Sequence, residues 1–409
     1  MDFDFPIKKN VSILALGAES AGNFSIYSLL PNPSPLFKGG IQGGLVYLSP
    51  DFGDLLKEKN WQSYQKTVLK YLKDKKIRPE IILTDLHPLF KTSLWGKELA
   101  KKYKAKLIPI QHHHAHTFSA IGDRIINSTN YKLPATSYAL AMDGTGLGTD
   151  EKIWGGEVFE VKSEKLKVKS VRRIGRLENQ ILIGGDLAIQ EPARMLISIL
   201  SRCHSELASE SKKDFVYPFV KKYYTKNEFE LLYNQLQQNF NCLETSSAGR
   251  VLDAISLLLG FCKNKRDYKH QPIDILEKNS TRPFTDLKPR IIKNKNGKHV
   301  LDTNYLFNYV INYLHKKNRE RLAATAQLYI AQGLYEIIKK QNHSHPLPLS
   351  KGEMSAGQRG FEIFISGGLA NNKIISSFLE SQSAYGAKKI PRGDAGLSFG
   401  QIVYFLLSS

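Results

Sequence analysis

One strand pattern occurs twice in this chain, and the repetition limits its fold more than any other feature. Residues 11–17, 23–29 and 44–49 are short apolar runs parted by glycine-, proline- and serine-bearing turns, which predicts three antiparallel strands. Trp61, Tyr64, Val68 and Tyr71 then recur at helical spacing, followed by an apolar strand over 80–85, a helix over 93–103 and a strand over 107–110. A second opening begins at Ser137, with strands predicted over 138–142, 153–161 and 166–173 before a long helical section from about 188 to 341. A meander followed by alternating strands and helices predicts a mixed sheet, so two openings predict two α/β lobes.

The lobes are expected over residues 1–132 and 133–409, with the helical section inserted in the second and the last helix returning to the first. Two lobes on this plan correspond to the actin and sugar-kinase (ASKHA) architecture, which clamps a nucleotide between its halves, although plan alone does not decide function. A hydrophobic content of 42% rules out disorder of the chain as a whole. No run of about eighteen apolar residues occurs, and Asp2 and Asp4 stand where an export signal would carry lysine. The expected location is therefore the cytoplasm, with no membrane span.

Cys203, Cys242 and Cys262 are too few for a disulfide framework, and no C-x-x-C pair offers a structural zinc site. The net charge of +20 raises the question of a nucleic-acid partner. Lysines are spread along the chain without interleaved aromatics, so a solvated surface is the better reading. Segments 31–43, 203–213 and 342–360 are rich in proline, glycine, serine or charge and are expected to be exposed, dispensable loops; the first and last share a P-x-P-L-x-K-G pattern.

The strongest chemical signal is Gln111-His112-His113-His114-Ala115-His116. On a helix, His112 and His116 share one face and can bind one cation; the bland alternative is a surface or core histidine cluster. The chain holds only 11 histidines, and four within five positions favour the ligand pair. Two imidazoles leave a metal under-coordinated, so carboxylates must come from elsewhere. Asp143 opens Asp143-Gly144-Thr145-Gly146, whose glycines would let backbone N–H groups approach a phosphate, though a plain Asp-Gly turn explains the same residues. Asp394, in Arg392-Gly393-Asp394-Ala395-Gly396, precedes the last predicted helix and by itself reads as an N-cap. Glycine doublets at Gly155-Gly156, Gly184-Gly185 and Gly367-Gly368 each mark a turn, and the last leads through Asn371-Asn372 into a helix, which suits adenosine or phosphate.

Taken together these residues resemble a known family, the carbamoyl-transferring domain of the NiFe-hydrogenase maturation carbamoyltransferase HypF, related to the tRNA threonylcarbamoyladenosine synthases. The motifs that carry the resemblance are Leu14-Ala15-Leu16-Gly17-Ala18-Glu19, Asp85-Leu86-His87-Pro88, the histidine run, Asp143-Gly144-Thr145-Gly146 with Trp154-Gly155-Gly156-Glu157, and Gly184-Gly185-Asp186 with Glu191-Pro192-Ala193-Arg194-Met195. Thr245-Ser246-Ser247-Ala248-Gly249-Arg250, Ser366-Gly367-Gly368 and the Asp394 segment complete them in order.

The resemblance implies an iron or zinc ion on His112, His116, Asp143 and Asp394. It implies a nucleotide pocket, for ATP or carbamoyl-adenylate with magnesium as an accompanying ion, lined by Gly144, Thr145, Gly185, Asp186, Gly367, Gly368 and Asn372. It also implies catalytic parts for His113, Arg194 and Arg250, and transfer of a carbamoyl group to the C-terminal cysteine of a HypE-like partner. Complete members carry an acylphosphatase-like domain, zinc modules and a YrdC-like adenylate-forming domain before this one, so a separate domain or chain is expected to make the adenylate. Where the family usually reads Y-E-G-Q, this chain has Tyr268-Lys269-His270-Gln271. Two alternatives follow: transfer to another acceptor such as tRNA, and a catalytically decayed nucleotide-binding scaffold.

Overall fold

The computed structural model describes residues 1–29, 43–128, 130–203, 209–343 and 360–409. Six strands, β1 (Asp2–Phe5), β2 (Ile13–Ala15), β3 (Ser25–Leu29), β4 (Gly44–Leu48), β5 (Ile81–Asp85) and β6 (Lys106–Ile110), form one sheet in the order β1-β4-β3-β2-β5-β6. β2, β3 and β4 make an antiparallel meander, and β5 and β6 continue parallel to β2. The helices Glu58–Asp74 and Lys91–Tyr103 cover the outer face, placing Tyr64, Val68, Trp95 and Leu99 against Leu14, Leu16 and Ile82.

The second sheet is built from β7 (Thr136–Leu147), β8 (Ile153–Glu164), β9 (Lys167–Leu177), β10 (Gln180–Ile183), β11 (Cys242–Thr245), β12 (Ile291–Lys293), β13 (His299–Leu301), β14 (Phe361–Ser366) and β15 (Ala384–Gly386). Its order is β12-β13-β9-β8-β7-β14-β15, with β10 and β11 branching from β8. The run β9-β8-β7-β14-β15 repeats β4-β3-β2-β5-β6 in order and in strand direction. The expected two-lobed α/β plan of actin and the sugar kinases is thus the fold, with mixed sheets in both lobes.

Two helices fill the space between the sheets. His112–Ile126 follows β6, Leu397–Ser408 ends the chain, and one apolar cluster unites them with Ile13, Leu83 and Ile110 of the first sheet and Ala139, Phe159 and Phe364 of the second. Each fully buried large side chain there contributes about 1.5–3 kcal/mol, so this shared layer holds the lobes together. The helices approach so closely at Gly400 that a β-carbon there would lie 1.9 Å from the Ala115 carbonyl oxygen, which only glycine avoids.

Two expectations need correction. Cys203 is buried at the end of the helix Pro192–Cys203, and residues 209–213 begin the helix Ser209–Val220 rather than a loop. That helix is amphipathic: Glu210, Ser211 and Asp214 are exposed, while Val216 and Val220 join the core. The section 188–341 is not purely helical, because β11 and the hairpin β12-β13 interrupt it and extend the second sheet. The expected loops at 31–43 and 342–360 lie almost wholly outside the described residues.

Candidate metal centre and cleft

The histidine run sits where β6 gives way to a helix. Gln111 caps that helix, its side-chain oxygen accepting from the His114 backbone N–H at 2.8 Å, so His112 and His116 lie one turn apart on the face toward the second lobe. Asp143 does not end its strand. β7 runs on to Leu147, and a register shift between Met142 and Gly146 throws Asp143 out of the ladder as part of a bulge. The segment Thr245 to Arg250 braces this bulge, the Ser247 hydroxyl donating to the Asp143 and Gly144 carbonyls. Gly155 lets the bulge settle, since a β-carbon there would meet the Asp143 carbonyl oxygen at 2.5 Å.

Asp394 forms part of the turn Asp394–Gly396 ahead of the last helix and makes no side-chain cap, which removes the N-cap reading. One carboxylate oxygen takes hydrogen bonds from the Ser20 hydroxyl and, at 2.7 Å, from the Lys269 ammonium; the other faces the histidines. His112 Nε2 lies 3.3 Å from Asp143 Oδ2 and 3.6 Å from Asp394 Oδ1; His116 Nε2 lies 3.7 Å and 3.2 Å from the same two atoms. One donor atom from each of the four residues falls within 4.8 Å of the others, and all four are buried.

These residues fit a metal ion. Buried His116 Nε2 and Asp394 Oδ1 have no aligned hydrogen-bond partner despite their 3.2 Å separation, so both donors are free for a cation. Two imidazoles and two carboxylates are a donor set for iron or zinc. A further layer orients them: Asp85, at the end of β5, holds His112 Nδ1 at 2.7 Å, and the Gly368 backbone N–H donates to Asp143 Oδ1 at 3.3 Å. Burial opposes protonation of His112, but Asp85, Asp143 and Asp394 outweigh it and hold the imidazole well above its usual range. Burial and the charge of Asp394 push the Asp143 carboxyl up, yet the adjacent imidazoles of His112 and His116 prevail and keep it well below the carboxylate range.

Above the cluster opens a cleft of about 400 Å³ lined by Asp143, Gly144, Arg250, Lys269, Gly368 and Asp394 among others. Arg250 is buried against Asp253 at 2.8 Å, and burial pulls its pKa down to about 10, which leaves it charged at neutral pH. Asn372 also lines the cleft, but its side chain caps the helix Lys373–Ser381 and donates to Gln327.

The other expected residues fall elsewhere. Gly185, Asp186 and Arg194 do not line this cleft; Arg194 is paired with Glu191 at 2.7 Å beside Gly184. Thr145 and Gly367 do not line it either: Thr145 lies within the β7 bulge and Gly367 packs on the Met142 backbone. His113, expected to have a catalytic part, does not line the cleft: it is fully buried between Gln111 and Trp154, and burial and then the charge of His112 hold its pKa well below the usual range. Asp85 and Ser20 received no role from the sequence. The only signal for Asp85 was its place in Asp85-Leu86-His87-Pro88 at a strand end.

The chain is similar to known proteins along almost its whole length. Residues 8–123 match the HypF Kae1-like domain, and residues 139–401 match the second subdomain of the Kae1-like carbamoyltransferase domain. The probable carbamoyltransferase HypF of Methanocaldococcus jannaschii is 33% identical over 98% of this chain and 47% of its own length; carbamoyltransferase HypF of Rhodobacter capsulatus is 27% identical over 88% and 44%. The chain thus spans about half the length of these relatives. Two solved structures share the fold: full-length HypF in a phosphate- and nucleotide-bound form (TM-score 0.78, 23% identity, 99% of this chain, 58% of that one) and T. kodakarensis HypF (0.78, 24%, 99% and 49%). With the second-subdomain match alone extending over residues 139–401, more than half of its length, the chain belongs to the HypF carbamoyltransferase family.

Proposed function

We propose that this chain moves a carbamoyl group from carbamoyl-adenylate to the C-terminal cysteine thiol of a HypE-like partner during NiFe-hydrogenase maturation. The observation that carries the reading is the convergence of His112, His116, Asp143 and Asp394 on the floor of a cleft bearing Arg250 and Lys269, in a chain of this family. His112, His116, Asp143 and Asp394 would hold an iron or zinc ion, which would supply a Lewis acid and a template for substrate oxygens. Arg250, kept in place by Asp253, and Lys269, anchored on Ser20 and Asp394, present positive charge to the adenylate phosphate. Gly144 and Gly368 let the nucleotide approach the backbone at the cleft wall.

The incoming thiolate forms a C–S bond to the carbamoyl carbon as the C–O bond to phosphate breaks, and AMP leaves with the electron pair. This chain offers no suitable thiol. Burial raises Cys203 to about 12 and Cys262 to about 11, and it also raises Cys242, so none is a ready thiolate at neutral pH. A YrdC-like adenylate-forming domain, in the same protein or another, supplies the activated group.

The test is transfer of labelled carbamoyl from preformed carbamoyl-adenylate to a HypE-like acceptor by the purified chain. Stoichiometric label on the acceptor cysteine is expected, with no pyrophosphate released from ATP and carbamoyl phosphate by this chain alone. Label on tRNA instead, an acceptor that the +20 charge makes worth testing, would move the function to the second reading. No transfer to either would favour a scaffold.

A further inference from the structure

The loop from β15 to Asp394 is fastened from two sides. On one side Arg392 donates to the Ala387 carbonyl within the loop (3.1 Å), to the Ala370 carbonyl (2.9 Å) and to the Glu380 carboxylate (2.8 Å), which ties the loop to the turn after β14 and to the helix Lys373–Ser381. On the other side stands Asp123, fully buried in the layer between the sheets. Its carboxylate accepts from three consecutive backbone N–H groups, those of Lys388 (2.9 Å), Lys389 (2.7 Å) and Ile390 (2.7 Å). The Tyr385 hydroxyl (2.7 Å) and the Asn127 amide (2.9 Å) complete its shell.

A carboxylate without solvent contact is costly unless its oxygens are fully hydrogen-bonded, and here they are. What distinguishes Asp123 from an ordinary buried acid is the pair of elements it joins. It belongs to the helix His112–Ile126, about three turns beyond His112, and it grips the backbone that ends four residues before Asp394. One rigid helix therefore carries two ligands directly and fastens the loop of a third.

We infer that Asp123 is a positioning residue for the metal centre, setting where Asp394 stands relative to His112 and His116. The inference rests on the metal-centre reading above and adds to it the residue that fixes the ligand spacing. Asp123→Asn keeps the shape but turns one acceptor oxygen into a donor facing backbone N–H groups.

The test measures zinc(II) affinity by competition with a chromophoric chelator on the full 409-residue chain, in four forms: wild type, D123N, D394A and the double variant. D123N should bind zinc about 10–100-fold more weakly than wild type, as expected for groups that orient a ligand. In the D394A background the same change should alter affinity less than about twofold, since the group it positions is gone. Equal losses in both backgrounds, or unchanged affinity in D123N at matched circular dichroism, would overturn the inference. Should D123N fail to fold, Tyr385→Phe removes one of the five bonds and should give a smaller loss that again requires Asp394; a loss independent of Asp394 counts against the inference. A wild-type chain that binds no zinc would overturn the metal-centre reading and this inference together, a result distinct from zinc-binding wild type with an unaffected D123N.

Discussion

The helices His112–Ile126 and Leu397–Ser408 hold the same place in the two repeats: each follows the last strand of a five-strand order, and each packs on the other between the sheets. Their beginnings differ in chemistry. The first brings the imidazoles of His112 and His116, while the second is preceded by the carboxylate of Asp394. A helix N-terminus favours anions and disfavours cations, and both kinds of donor comply, since a ligating imidazole is neutral and a carboxylate negative. The neighbouring strand ends differ in the same way. β5 ends on Asp85, which orients His112, whereas β14 leads to the Gly368 N–H, which orients Asp143. A duplicated backbone thus yields a mixed nitrogen and oxygen site because its equivalent positions were filled with opposite residue types.

The sharpest way to break this comparison is to remove one ligand from each helix. His112→Ala and Asp394→Ala should both come through purification without bound metal and without transfer activity, because either leaves a three-donor shell that binds added zinc far more weakly; metal analysis of the purified variants would show it. Full occupancy in one variant would mean that only one repeat builds the site. Next in size is the helix contact itself. Gly400→Ala places a methyl against the Ala115 carbonyl and should cost about 3 kcal/mol, read as a lower denaturant midpoint at unchanged slope.

The histidine helix also makes a pH prediction that its partner helix does not. Burial against Phe159 and Tyr404 lowers His114 from 6.5 to about 4. The unfolded chain therefore takes up the proton first, so stability is complete above about 6.5 and falls as the pH drops toward 4, by up to about 3 kcal/mol. Melting curves of His114→Gln should be flatter than wild type across that window; an identical slope would exclude His114 as the source. The smallest expected effect is that of Asp85→Asn, which should weaken metal binding about 10–100-fold with little change in melting temperature. A loss as complete as that of Asp394→Ala would make Asp85 a ligand in its own right.

Much of this was legible in the chain because it depends on local pattern. Alternation and helical spacing revealed both meanders, and the histidine run marked two candidate ligands by residue type, whereas Asp143 read equally as a plain Asp-Gly turn. Asp394 was legible only through resemblance, since an acid before a helix reads equally as a cap. The segment 203–213 misled because serine and lysine describe the outside of an amphipathic helix as well as a loop. Gly185, Asp186 and Arg194 share strand-end and glycine signals with the cleft residues, yet stand away from it, because glycine doublets report turns and not what the turns face.

By itself the sequence determined the repeated strand opening, the residue types of the candidate metal donors and the want of a disulfide framework, all of which follow from composition and short-range periodicity. The tertiary structure decided which donors meet. Residues 112 and 394 come together only because Gly400 allows two helices to touch backbone to backbone, and Asp143 reaches them only through the bulge braced by Ser247. Close packing over long sequence separation creates those distances, and it leaves no periodic trace in the chain that it folds.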